Sequence, residues 1–179
     1  VWWNSDFDHG KKRNRFGRDN NIKVNSKYNL KLLHGRRYKN NIGIARLINH
    51  KQIANKFKRL SLLMTKPDVI VTSFPPISLC TEVMNYGEEN QIPVLIYYRD
   101  LWPEAFINAV PKSLQFFVKL GIKPFSFIID NIFRRADGIM GITQPFLELG
   151  LIRSRRSRSQ FDNIFPLAYP KTEFSKEIQ

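Results

Sequence analysis

Two proline-bounded runs of apolar and β-branched residues constrain this chain more than any other feature. Val69-Ile70-Val71-Thr72-Ser73-Phe74 lies between Pro67 and Pro75-Pro76. Val94-Leu95-Ile96-Tyr97-Tyr98 follows Pro93 and runs on into Arg99-Asp100-Leu101-Trp102-Pro103-Glu104. Continuous apolar runs of this length predict strands buried on both faces of a sheet. The stretch from Ile77 to Ile92 between them exceeds the roughly dozen residues that a parallel crossover needs. The pair therefore predicts a βαβ unit in an α/β domain with a mostly parallel sheet. Ligands of such sheets sit beyond the carboxyl ends of the strands. Those ends are Ser73 to Pro76 and Arg99 to Glu104, and a charged pair with an aromatic at a strand mouth points to a site.

At 179 residues the chain suits one domain, expected over 1–170 with a polar tail over 171–179. A hydrophobic content of 42% is that of a globular protein. No uninterrupted run reaches the roughly 18 to 20 apolar residues of a membrane span, because Lys119, Lys123 and Asp130 interrupt the stretch from Leu114 to Phe133. The single cysteine, Cys80, excludes an internal disulfide and a multi-cysteine zinc site, and it fits a cytoplasmic setting. The formal charge of +14 is unevenly spread. Residues 1 to 60 hold 16 of the 29 lysines and arginines but 3 of the 15 acidic side chains. A basic face of this kind attracts nucleic acid, anionic lipid headgroups or phosphate-bearing substrates.

Val1-Trp2-Trp3 reads as the end of a strand, with Asn4 to His9 as the polar loop beyond it. Lys11, Lys12, Arg13, Arg15 and Arg18 stand among Gly and Asn as an exposed, mobile basic loop, either solvated or in contact with an anionic surface. Short strands are expected over 22–24 and 28–33, and Arg36 and Arg37 form a second basic turn. From Ile42 to Met64 the spacing of Ile44, Leu47, Ile48, Phe57, Leu60 and Met64 predicts an amphipathic helix with a basic polar face, packed on its sheet or lying on a membrane. Lys112 to Ala136 reads as helical, broken or kinked at Gly121 to Pro124. Phe116, Phe117, Phe125, Phe127 and Phe133 fit core packing a little better than a lipid-facing edge. Asp137 to Thr143 is a third buried strand, Gln144-Pro145 opens a short helix, Arg153 to Ser159 is a basic loop, and 163–166 is a last strand.

Three strand ends thus converge: Ser73 to Pro76, Arg99 to Glu104, and Thr143-Gln144. Asp100 is the leading catalytic candidate. A carboxylate beside Arg99 stays ionised and can orient a hydroxyl or take its proton. It can equally cap a helix starting at Leu101. Arg99 either binds phosphate or pairs with a carboxylate. His9, beside Asp8 at a strand end, is either a site member or a solvated histidine. His34 and His50 stand alone, and none of the three histidines has metal-ligand spacing. No Walker loop, Gly-x-Gly-x-x-Gly or nucleophile elbow occurs.

Asp68-Val69-Ile70-x-x-Ser73-x-Pro75-Pro76, followed by Pro93-Val94 and Arg99-Asp100-Leu101-Trp102-Pro103-Glu104, resembles the N-terminal domain of family-four retaining glycosyltransferases of GT-B fold. The likeness is to the branch that builds bacterial surface polysaccharides. Phe7-Asp8-His9, Tyr38-x-x-Asn41, Ala136-Asp137-Gly138-Ile139 with Thr143, and Phe165-Pro166-Leu167 extend it over most of the chain. The resemblance implies a Rossmann-like three-layer domain that forms one half of a two-domain enzyme. Asp100 would be catalytic, and Asp8, His9, Ser73, Arg99, Glu104 and Thr143 would bind the acceptor. The acceptor would be a saccharide or a polyprenyl-diphosphate-linked sugar, the donor a nucleotide-sugar, and no metal would be required. Lys11, Lys12, Arg13, Arg15, Arg36 and Arg37 would meet phosphate or the anionic inner face of the cell membrane.

The same comparison marks departures. The family's opening strand with its glycine-rich turn and its donor-side Glu-x7-Glu motif have no counterpart among these residues. The chain is therefore expected to be an acceptor half, inactive alone, that works with a C-terminal donor domain or a separate donor subunit. The competing class is a basic module for nucleic acid or acidic lipid, although no nucleic-acid recognition motif accompanies the charge.

Overall fold

In a computed structural model of the chain the described residues are 1–40, 43–102 and 110–167. Backbone proximity divides the molecule into two compact units, Val1–Ile70 with Pro76–Ile92, and Val71–Pro75 with Pro93–Gln179.

The first unit opens with β1 (Trp2–Ser5), β2 (Phe7–Asp8) and β3 (Arg13–Asn14), followed by β4 (Asn20–Lys23) and β5 (Asn29–Leu33). β1 pairs parallel with β5, and β4 joins the other side of β5 antiparallel through the turn at 24–28. β2 and β3 form a separate antiparallel pair, Phe7 opposite Asn14. The loop expected to be mobile is held in place. Asp6 is fully buried, and its carboxylate accepts hydrogen bonds from the backbone N–H of Phe16 and Gly17 at 2.9 and 3.0 Å. The Arg15 N–H donates to the Asp6 carbonyl at 2.9 Å. A buried carboxylate needs such donors, because an unpaired one costs several kcal/mol, roughly.

Helix α1 (Ile44–Ser61) is shorter than the expected 42–64, and a different face of it is buried. Asn49, Ile53, Ala54, Phe57 and Ser61 point inward, whereas Ile44 and Leu47 are exposed. Asn49 is tolerated inside because its amide donates to the Arg36 carbonyl at 2.8 Å. Helix α2 (Ile77–Asn90) packs against α1 through Cys80, Val83, Met84 and Tyr86. Phe57 meets Trp3 and Tyr86 edge-on at 5.3 and 6.0 Å. Glu82 lies within 3.8 Å of Lys51 and 3.4 Å of Lys58, tying the two helices at their edge.

The second unit contains β6 (Ile70–Phe74) from Val71 onward, β7 (Val94–Tyr98), β8 (Gly138–Gly141) and β9 (Asn163–Ile164), a four-stranded parallel sheet in that order flanked by helices. This α/β arrangement is compatible with a Rossmann-like fold. Burial on both faces does not hold for β6. Thr72 and Phe74 are buried while Val71 is exposed and Ser73 half-buried, the alternation of a strand fully covered on one face only. β7 buries Val94, Ile96 and Tyr98 and half-buries the residues between them. The core is aromatic, with Phe133 5.3 Å from Phe74 and 4.9 Å from Tyr98 between ring centroids.

Helix α3 (Gln115–Arg135) is one continuous helix with Pro124 inside it, not two. Pro124 and Leu120 are both exposed, so the Leu120 carbonyl that proline leaves without its N–H donor faces water. Phe133 is buried as core packing requires. Phe116, Phe117 and Phe127 are each about 70% exposed, which overturns the core reading for them. Helix α4 (Gln144–Ser154) carries proline in its first turn, as the sequence predicts. Arg153 and Arg156 are not a solvated basic run. Arg153 is buried and pairs with Asp130 at 2.6 Å, and Arg156 pairs with the buried Asp162. Among the described residues no helix is long and apolar enough to cross a membrane.

Candidate functional site

In the second unit, parallel pairing gives β6, β7 and β8 a common carboxyl edge. Tyr98 lies opposite Gly141, and the Ile142 N–H donates to the Tyr98 carbonyl at 3.2 Å. Arg99 and Asp100 therefore leave β7 beside the segment from Gly141 to Thr143 that leaves β8. Gly141 cannot be replaced without movement, since a Cβ there would lie 2.5 Å from the Leu147 backbone nitrogen. That close approach lets the Leu147 N–H reach the Thr143 carbonyl at 3.1 Å and start α4 at this edge. Thr143 occupies the N-cap position without a side-chain capping bond, and it is exposed. Its hydroxyl is thus left to face solvent or a ligand.

Arg99 and Asp100 are also exposed, and among the described residues neither forms an ion pair or a hydrogen bond. Ser73 is half-buried on β6, the neighbouring strand. Glu104, and the helix that Asp100 would cap, lie outside the described residues. Ser73, Arg99, Asp100 and Thr143 thus share one sheet edge. A carboxylate, a guanidinium and hydroxyls so placed can hold a polyol through charge-assisted hydrogen bonds.

A second cluster lies in the first unit, at the end of β2. The Tyr38 ring stacks on Phe7 at 4.1 Å between centroids, and Tyr38 Oη lies 3.0 Å from His9 Nδ1. Burial raises the Tyr38 pKa above the usual phenol value, the nearby Arg46 opposing it. Burial, with Lys12 and Arg46 nearby, lowers that of His9. Both shifts favour the neutral forms, so the two groups share a hydrogen bond between uncharged partners. Arg46 Nε donates to His50 Nε2 at 3.4 Å. Burial first, then Arg46 and His9, pushes the His50 pKa down to about 4. Asp8 is held below the usual carboxylate range by the Lys11 N–H, which donates to it at 2.9 Å, and by Arg15.

The basic residues read from the sequence fall into two kinds. Lys12 is half-buried with its ammonium 5.9 Å from the Tyr38 ring centre. Arg15 spans from Asp8, at 3.8 Å, to the Ser5 carbonyl. Lys11, Arg13, Arg36 and Arg37 are exposed. Arg46 and His50 lie one helical turn apart, and that spacing is the only signal in the sequence that could have placed them together. Nothing local marks the chain of contacts from His9 to His50.

The pH dependence follows from His50. Its folded pKa lies below the ordinary value of 6.5, so as pH falls from 6.5 towards 4 the unfolded chain takes up a proton that the folded chain refuses. Stability should drop across that window by on the order of 2 kcal/mol, and His50→Gln should flatten the drop. Urea unfolding at half-unit pH steps measures it, and an identical pH slope in the variant would refute the assignment. No protein-family model, curated protein or solved structure matches the chain.

Proposed function

We propose that the chain is the acceptor-binding half of a retaining glycosyltransferase of GT-B type. The enzyme would pass a sugar from a nucleotide-sugar to a saccharide or polyprenyl-diphosphate-linked acceptor during surface-polysaccharide synthesis. The observation that carries this reading is the exposed Arg99-Asp100 pair at the carboxyl edge of a parallel sheet, beside the open Thr143 hydroxyl. Asp100 would accept a hydrogen bond from the acceptor hydroxyl and Arg99 would hold an acceptor phosphate. The likeness of Arg99 to Glu104 to the polysaccharide branch supports the same assignment.

The exposed Phe116, Phe117 and Phe127, with Lys112, Lys119 and Lys123 on the same helical stretch, support residence at the anionic inner face of a membrane. Apolar rings interleaved with lysine suit a lipid headgroup boundary. The exposed Lys11, Arg13, Arg36 and Arg37 add positive charge for the same surface.

The test is transfer from a panel of labelled nucleotide-sugars to a lipid-diphosphate acceptor, with the chain alone and with a donor-binding half supplied. Transfer is expected only when both halves are present, because donor and acceptor must be held together. Absence of transfer from every donor under both conditions would overturn the reading.

A further inference from the structure

An open groove of roughly 700 Å³ lies wholly within the first unit, between the turn after β5 and one face of α1. Its ionisable lining is His34, Arg36, Lys56, Lys58 and Arg59, its remaining residues are Gly35, Gln52 and Asn55, and no acidic side chain lines it. Nearby carboxylates quench part of this charge from outside the groove. Lys56 pairs with Asp19 at 2.6 Å, Lys58 approaches Glu82 at 3.4 Å, and His34 Nδ1 lies 3.2 Å from Asp6. Arg36 and Arg59 are different. Both are exposed, and among the described residues neither guanidinium has an ion-pair or hydrogen-bond partner. Lys58 and Arg59 stand in the last turn of α1, where the helix dipole itself favours cations. That accounts for those two residues and leaves Arg36, which also lines the groove, unexplained.

We propose that this groove binds a ligand bearing a diphosphate or longer oligophosphate, clamped between Arg36 and Arg59. Arg36 and Arg59 both line the groove, and guanidinium groups match phosphate oxygens with paired hydrogen bonds. The volume falls in the range of roughly 300 to 1,000 Å³ usual for small-molecule sites. It exceeds what a bare diphosphate fills and leaves room for an organic body beside the phosphates. Gln52 Oε1 already accepts from the Arg36 N–H at 2.7 Å, which holds the side chain with its amide NH2 available to that body, and the exposed Asn55 adds a second amide. The site does not depend on the glycosyltransferase reading.

Pyrophosphate titrated into the full 179-residue chain, followed by calorimetry, provides the test, with sulfate as the comparison anion. Saturable binding that prefers pyrophosphate is expected. R36Q and R59Q should each weaken it about tenfold, while K39Q, an exposed position three residues after Arg36 and outside the groove, should leave it unchanged. Thermal unfolding without ligand checks that the three variants fold alike. Failure of pyrophosphate to bind, equal affinity for sulfate, or an equal loss in K39Q would each overturn the site. Adsorption to anionic vesicles without pyrophosphate binding would overturn it as well, since diffuse surface charge would then suffice.

Discussion

Under the proposed glycosyltransferase reading, Asp100→Asn should lower sugar transfer, measured with a donor-binding half supplied, by about 100-fold or more at saturating acceptor, with the unfolding midpoint unchanged. The substitution separates the two roles open to Asp100. Asparagine caps a helix about as well as aspartate, so a capping role survives the change. It lacks the negative charge, so a role in holding or deprotonating an acceptor hydroxyl does not. Because Asp100 is exposed and without a partner among the described residues, removing its charge leaves no buried group stranded. The loss should appear in kcat more than in KM if the carboxylate acts mainly in the transition state. Full activity in the variant would remove Asp100 from the chemistry and move the search to Asp8 and His9.

Asp162→Asn should cost about 3 kcal/mol of unfolding free energy at pH 7. Asp162 is buried, and its two oxygens accept four hydrogen bonds. The Ile139 N–H reaches one oxygen at 2.7 Å and the Ser159 N–H reaches the other at 2.6 Å. The Arg156 guanidinium spans both oxygens, with its Nη2 at 2.7 Å. An amide in this place would turn two hydrogens towards donors and leave Arg156 without its counter-ion, a change of the kind that costs several kcal/mol, roughly. Burial works to raise the Asp162 pKa, but Arg156 and the backbone N–H groups outweigh it and hold it at about 2. Since this folded pKa lies below the unfolded one, the stabilisation is present above about pH 4 and is lost as pH falls towards 2. Urea unfolding of parent and variant should therefore differ by the full amount at pH 7 and converge near pH 2. A difference below 1 kcal/mol at pH 7, or one that does not shrink with acid, would mean that water replaces these bonds at little cost. The two acid windows are separable, His50 acting between pH 6.5 and 4 and Asp162 below that.

Local signals in the chain were enough for the strand-rich backbone of the second unit. Proline on both sides of β6, ahead of β7, and in the first turn of α4 marks boundaries through fixed φ and the missing N–H. β-branched runs mark the strands between them. The carboxyl-edge grouping of Ser73, Arg99, Asp100 and Thr143 follows from parallel order alone, because parallel strands end on the same side. The helical period of α1 was also legible, although its buried face was not. Ile44 and Leu47 look like core residues by type, yet the inward face carries Asn49 and Ser61.

What the amino-acid sequence determined by itself was therefore which segments of the second unit become strands and helices, and at which edge the chemistry-bearing residues leave the sheet, whereas the β2–β3 pair lay in stretches that read as loop. Both depend on neighbours a few positions away. Tertiary structure decided which charges are buried and what they hold. Asp6 meets Phe16 and Gly17, Arg153 meets Asp130 across 23 positions, and Asp162 meets Ile139. Tertiary packing also gathered Tyr38, His9, Arg46 and His50, and brought Arg36 and Arg59 into the lining of one groove. A charged residue in a polar run reads the same whether water or a buried partner will surround it, because desolvation and Coulomb energy are set by groups that are near only after the chain has folded.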